Sequence, residues 1–263
     1  MTTPIPVTVL GAHASLTDYL ARRPEFELRT TAEPAELVGL VVHLPTAEEV
    51  TDGTAAETAT RLLRAGHDVV TTTPLDPDAV RAACAAGRST FHATGGLPTA
   101  LVVRVCRAFA GAWRDIDHVV LTEFRDPAER TVPEADYEAG LRALAAAVFP
   151  DADTTDSPTI STTYRDNDIH VSRTLGPQVA YNSSWAPQDN PGALRYRLTT
   201  VTAASGAGHT TFRFDTGTQP HIIDHLVAVG VRAAIAPTWH GTPGILLHDF
   251  TIDHVQPDDR LTR

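Results

Sequence analysis

The sequence predicts an α/β protein: a doubly wound parallel sheet followed by a second, α+β domain of mostly antiparallel sheet. Two observations lead there. Up to Leu97, short β-branched runs alternate with helix-period segments, the grammar of a parallel sheet with crossover helices. Beyond Thr159, strand-like segments follow one another with turn compositions between them, as in an antiparallel sheet.

In order, Pro6–Leu10 is a β-branched strand that stops at Gly11, and Ser15–Arg23 places Leu16, Tyr19 and Leu20 at helical spacing. Phe26–Thr31 reads as a second strand. Leu37–Leu44 is a third, apolar on both faces as a strand covered by helices must be. Thr54–Ala65 is an amphipathic helix ended by Gly66, Asp68–Thr72 a strand, Asp78–Ala86 a helix closed by Gly87, and Ser89–Ala93 a strand. Pro98–Ala110 is an apolar helix, Asp117–Phe124 a strand and Glu134–Val148 an alanine-rich helix. Thr159–Arg165, Ile169–Thr174, Gln178–Trp185, Leu194–Ala203 and Thr210–Asp215 are the strands of the second sheet. Pro220–Ala234 is a final helix expected to return to the first domain. The domains so read are 1–116, 117–218 and a returning tail, 219–263.

Composition excludes several functions. The 263 residues carry a formal net charge of −11, and no basic cluster interrupts it, so neither nucleic acid nor an anionic membrane is an expected partner. All 21 basic residues are arginine, which removes Schiff-base, phosphate-loop and general-acid lysines. The apolar runs Val38–Val42 and Leu97–Val103 are too short to cross a bilayer. The opening Met-Thr-Thr-Pro-Ile-Pro has neither a basic segment nor an apolar core, so a cytoplasmic protein is expected. Cys84 and Cys106 then read as free, buried thiols.

A strand that ends at a glycine and enters a helix is where a dinucleotide-binding (Rossmann-type) sheet holds a pyrophosphate, because the turn is tight and the helix N-terminus offers N–H groups. Here the segment is Gly11-Ala12-His13-Ala14-Ser15-Leu16-Thr17. In a glycine-x-x-glycine-x-x-glycine register Gly11 is kept, while Ala14 and Thr17 replace the others. His13 or Ser15 would donate to phosphate, and Glu33, about 20 residues on, stands where an acid holds ribose hydroxyls. A scaffold kept after loss of the cofactor is the competing reading.

The stretch Ala65–Ala100, AGHDVVTTTPLDPDAVRAACAAGRSTFHATGGLPTA, resembles the dihydrodipicolinate reductase-like family, including its 2,4-diaminopentanoate dehydrogenase branch. The matching parts are the Val-Val-Thr-Thr strand, the Ala-Cys-x-x-Gly helix end and an Ala-Thr-Gly loop. Val227–Asp249, with Ala236-Pro237 and Thr242-Pro243-Gly244-Ile245-Leu246, is similar to the closing helix and Pro-Gly segment of that branch. The resemblance implies a nucleotide-binding domain, an inserted sheet domain, NAD(P), and reduction of a C=N bond or oxidation of an amine. It places Thr72, Thr94 and Gly95 against the cofactor, and Gly96 and Leu97 beside the substrate. The chain departs from the pattern where asparagine and glycine of the loop are Leu97 and Thr99. It departs again at Thr122-Glu123-Phe124-Arg125-Asp126-Pro127, where the lysine-pathway reductases carry a histidine pair and a lysine. Reduction of dihydrodipicolinate itself is therefore not expected.

Arg125 is suited to clamp a substrate carboxylate. Glu123 or Asp126 can move a proton if burial tunes it, and His92, at a strand's carboxyl end, joins them as a catalytic candidate. Each also has a structural reading, as a strand-end ion pair or a core histidine. His43 follows the same logic more weakly. His221 and His225, four apart on a helix, lack a third ligand, so no metal is expected, and no glycine-x-serine-x-glycine elbow is present. The expectation is an NAD(P)-dependent oxidoreductase for a small, carboxylated or specialised-metabolite substrate, assembled as a homo-oligomer. The alternatives are a reductase-like protein that has lost the cofactor and catalyses a non-redox cyclisation or isomerisation, or a non-catalytic small-molecule-binding protein.

Overall fold

A computed structural model of the chain describes residues 3–11, 14–30, 37–100, 102, 116–125, 134–149, 156–165, 168–186, 193–202, 206–215 and 222–246. The first sheet is built from β1 (Ile5–Leu10), β2 (Phe26–Thr30), β3 (Leu40–His43), β4 (Val69–Thr71), β5 (Thr90–Ala93) and β12 (Gly244–Leu246). Its order is β12-β5-β4-β3-β1-β2, and every pair is parallel. Between the strands run α1 (Ala14–Ala21), α2 (Ala47–Asp52), α3 (Thr54–Arg64) and α4 (Pro77–Gly87).

Alternate side chains of the central strands feed two separate cores. Val42 and Val70 pack with Leu16 and Leu20 of α1, whereas Val41 and Val69 pack with Leu62, Leu63, Val80 and Ala83 of α3 and α4. This is why Leu40–Val42 is apolar and the strand is buried on both faces. Burial of each such valine or leucine contributes about 1.5–3 kcal/mol. Cys84 is a free, buried thiol in α4, and burial pushes its pKa up; Cys106 lies outside the described residues.

Several boundaries differ from the sequence expectation. The third strand starts at Leu40 rather than Leu37. The unforeseen α2 is announced by a capping box, in which Thr46 accepts from the Glu49 amide and Glu49 accepts from the Thr46 amide. Gly87 is the last residue of α4, and the left-handed position after it is taken by Arg88, at φ 55°. The segment Gly244–Leu246, expected only as a Pro-Gly resemblance, is a strand paired with Thr90–His92. Most of the helix expected at Pro98–Ala110 lies outside the described residues.

The second sheet comprises β6 (Ile116–Arg125), β7 (Thr159–Arg165), β8 (Asp168–Leu175), β9 (Val179–Trp185), β10 (Ala193–Thr202) and β11 (Gly206–Asp215). Its order is β11-β10-β6-β9-β8-β7, antiparallel throughout except for β6 against β9. One face is covered by α5 (Glu134–Val148), whose Tyr137, Leu141 and Leu144 recur at helical spacing and are buried against Val119, Leu121, Tyr181 and Leu198.

The last helix, α6 (Ile222–Trp239), returns to the first sheet, burying Ala228, Val231, Ala234 and Ile235 in the core beside α1. It runs past the expected end at Ala234 and through Pro237; the Thr238 hydroxyl donates to the Ala234 carbonyl in the last turn. Arg232 pairs with Glu25 at 2.8 Å, and His225 meets the Tyr19 ring edge-on at 5.4 Å. Among the described residues no helix is long and apolar enough to cross a membrane.

Candidate active site

β6 alternates strictly in burial from His118 onward, with Val119, Leu121, Glu123 and Arg125 on the face beneath α5. A carboxylate and a guanidinium therefore sit where the sheet's core would be apolar, and Glu123 has no exposed surface. Such a charge is tolerable only if fully hydrogen-bonded. The strand registers supply the partners. Tyr196 of β10 lies directly opposite Glu123, and Tyr181 of β9 is opposite Leu121, on the same face. Tyr137 descends from α5. The three hydroxyls donate to one carboxylate: Tyr137 to Oε1 at 2.5 Å, Tyr196 to Oε2 at 3.1 Å and Tyr181 to Oε2 at 3.4 Å.

The electrostatics follow from this packing. Burial first, and the Glu123 charge second, push the hydroxyls of Tyr137, Tyr181 and Tyr196 above the ordinary phenol range, so all three remain neutral donors. Arg125 donates from Nη1 to the Tyr137 oxygen at 3.4 Å. Burial opposes its charge, but Glu123, Tyr137 and Tyr196 together outweigh that and hold its pKa above the ordinary range.

A second guanidinium braces the cluster from β8. Arg173 is 2% exposed. It grips the Glu134 carboxylate in a fork through Nε and Nη2, the latter at 2.8 Å, and donates from Nη1 to Ser183 at 3.0 Å. Its guanidinium carbon lies 3.9 Å from the centre of the Tyr137 ring. Arg173 thereby ties the first turn of α5 to the sheet.

That same turn touches the loop after β5. Thr94 is held to β4 by its amide and hydroxyl, which donate to the Thr71 carbonyl at 2.8 and 3.2 Å. A Cβ on Gly96 would come within 2.2 Å of Asp136 Oδ2, one residue from Tyr137, so a larger residue there would have to displace that carboxylate. Leu97 is in the same apolar cluster as Tyr137. Expected cofactor and substrate residues Thr94, Gly95, Gly96 and Leu97 are thus brought to the charged end of α5, and all four are buried.

On the same carboxyl edge of the first sheet, β1 ends at Gly11, whose φ is 114°. The Leu44 amide donates to the Leu10 carbonyl at 2.9 Å, keeping β1 and β3 zipped past their ends. A Cβ on Gly11 would fall 2.4 Å from the Leu44 carbonyl oxygen. Gly11 and Ala14 are exposed, and α1 begins at Ala14. The Ser15 hydroxyl, expected to serve a phosphate, donates instead to Asp224 Oδ2 of α6 at 3.1 Å. His13, Glu33 and Asp126 lie outside the described residues. Thr72 is half-buried beyond β4.

Two of the candidate histidines lie in the first sheet. His92 is flanked in the sheet by Val70 and Leu246, inside rather than beyond the strand ends. His43 is 4% exposed at the end of β3. Burial lowers its pKa below the ordinary 6.5, against an opposing pull from Glu49. The folded state therefore disfavours the proton that the unfolded state binds, and stability falls as pH drops below 6.5. We expect a slope of at most about 1.4 kcal/mol per pH unit from this single group. Urea titrations between pH 5 and 7 should show that slope diminish in His43→Asn; an unchanged slope would assign it elsewhere. Among the described residues no three His, Cys, Asp or Glu side chains are grouped to hold a metal.

An amine dehydrogenase from Mycobacterium smegmatis matches over 93% of this chain and 95% of its own, with a TM-score of 0.63 at 14% identity. A dipicolinate-bound dihydrodipicolinate reductase from Paenisporosarcina sp. TG-14 matches over 93% and 97%, with a TM-score of 0.52 at 10% identity. This chain has their fold. A dehydrogenase from Chromobacterium violaceum follows at 11% identity and TM-score 0.56, over 84% of this chain and 78% of its own. No protein-family model matches the chain, and comparison with curated proteins returns no match. The resemblance read from Ala65–Ala100 and the two-sheet architecture are both present in the structure. Tyr137, Tyr181, Tyr196, Arg173 and Glu134 were missed by sequence reasoning. The only local signal was Glu134 itself, an acid in a first helical turn.

Proposed function

We propose that the chain is an NAD(P)-dependent oxidoreductase acting on a C=N or C–NH₂ bond of a small, carboxylated substrate. The observation that carries this reading is the first turn of α5, which meets the Gly96 loop through Asp136 and the Glu123–Arg125 cluster through Tyr137. The fold shared with an amine dehydrogenase and a dihydrodipicolinate reductase supports it.

The residues present fit a dinucleotide at the diphosphate end. Gly11 makes the tight turn, and the exposed start of α1 offers backbone N–H groups and the positive end of a helix dipole. Gly11 and the amides from Ala14 onward would hold the diphosphate, with Thr94 and Gly95 toward the nicotinamide. The cofactor, when bound, would supply or accept hydride. Arg125, at the carboxyl end of β6, is the residue to orient a substrate carboxylate. Tyr137, which accepts from Arg125 and donates to Glu123, keeps that guanidinium aimed. Glu123, wholly buried, fixes Tyr137 rather than meeting substrate directly.

Asp224 marks the point of weakness, and it favours a second reading. Its carboxylate, on the Ser15 hydroxyl, places negative charge beside the end of α1 where a diphosphate would bind. A reductase-like protein without cofactor, using Arg125 for a non-redox step, follows if that charge wins. Calorimetric titration with NADH and NADPH separates the two. The redox reading expects binding, and a several-fold gain in affinity for Asp224→Asn, which keeps the hydrogen bond and removes the charge. Millimolar nucleotide that binds neither protein would leave the non-redox reading standing.

A further inference from the structure

β7 is the outer edge of the second sheet, and among the described residues no strand lies beyond it. All seven of its residues are exposed. Ile160 is 51% and Tyr164 75% exposed, the two largest values among the big apolar side chains of the described residues. Edge strands are normally blunted by lysine, proline, a bulge or a covering segment, because their unpaired N–H and C=O groups template further pairing. The segment Thr159-Ile160-Ser161-Thr162-Thr163-Tyr164-Arg165 has no lysine or proline, and its register against β8 is unbroken over seven pairs. Its only charge is Arg165, at the end.

We propose that β7 pairs antiparallel with β7 of a second copy of this chain, about a two-fold axis at Thr162, joining two six-stranded sheets into one. The strand is self-complementary in that register. Ile160 faces the partner's Tyr164, and Tyr164 faces the partner's Ile160, so symmetry forms two aromatic–β-branched cross-strand pairs on one face. Ser161 lies opposite the partner's Thr163 on the other face, beside the Ser/Thr-lined depression that Thr122, Asn182 and Ser184 continue. Arg165 falls opposite the partner's Thr159, leaving the two arginines about 20 Å apart along the strands. Moving the axis by one residue either way sets Ile160 or Tyr164 against threonine, and only the Thr162 register pairs the two apolar side chains. That self-matching pattern is what selects a second copy over an unrelated strand.

Sedimentation velocity on the full chain from 1 to 100 μM should show a concentration-dependent dimer. The double substitution Ile160→Lys with Tyr164→Lys should weaken dimerisation at least tenfold while circular dichroism stays unchanged, since both side chains face solvent in the single chain. Two strands paired at Thr162 bring the Cα atoms within disulfide reach. Under oxidation Thr162→Cys should therefore give a covalent dimer, and Thr159→Cys should not, with the wild-type chain as blank. A monomer at 100 μM, or a dimer indifferent to the double substitution, would overturn the proposal. Equal cross-linking of Thr162→Cys and Thr159→Cys would overturn the register.

Discussion

Glu123→Ala is expected to lower stability by about 3–5 kcal/mol, the range for stripping one partner from a buried charge network. The carboxylate is the common acceptor for the hydroxyls of Tyr137, Tyr196 and Tyr181, and it offsets the charge of Arg125. Alanine leaves the three buried hydroxyls without their common acceptor and Arg125 without its neutralising carboxylate. Glu123→Gln keeps the shape and loses the charge. Because its amide nitrogen must face a hydroxyl that now donates to nothing, the cost should fall to about 1–3 kcal/mol. Urea unfolding of both variants at pH 7 measures the difference. An alanine variant within 1 kcal/mol of wild type would mean that the network is not closed around this carboxylate. If Arg125 orients substrate, Glu123→Gln should raise KM more than it lowers kcat, because the guanidinium loses its aim and not its charge.

Gly11→Ala is expected to cost about 3 kcal/mol and, on the proposed redox function, to abolish dinucleotide binding as well. Two penalties add: a φ of 114° that L side chains avoid, and a Cβ 2.4 Å from the Leu44 carbonyl oxygen. The clash is with backbone, so relief must come from parting β1 and β3 at the Leu10–Leu44 hydrogen bond, which reshapes the turn into α1. Gly53→Ala is the control, since φ is 87° there but no atom lies within 4 Å. It should cost about 1–2 kcal/mol, the left-handed penalty alone. Equal melting temperatures for the two variants would show that the contact with Leu44 carries no strain.

The alternation of strand and helix that makes the first sheet parallel was legible in the sequence. Hydrophobic periodicity is a local property: Val41 and Val42 lie side by side in the chain, and a run apolar on both faces announces helices on both sides of it. Gly11 and the span of α5 could be read in the same local way. Residues whose roles depend on distant partners could not. Ser15 pairs with Asp224, 209 residues away, and no reading of the loop that contains it could foresee that its hydroxyl was committed to α6.

What the sequence by itself determined, then, is the order and kind of the elements, and the glycine at which β1 must turn. What only the tertiary structure decided is why Glu123 and Arg125 face inward on β6. Tyr137, Tyr181 and Tyr196 stand 14, 58 and 73 residues beyond Glu123, on one helix and two further strands. A buried carboxylate is stable only when such donors converge on it, and their convergence is a matter of strand register and helix placement.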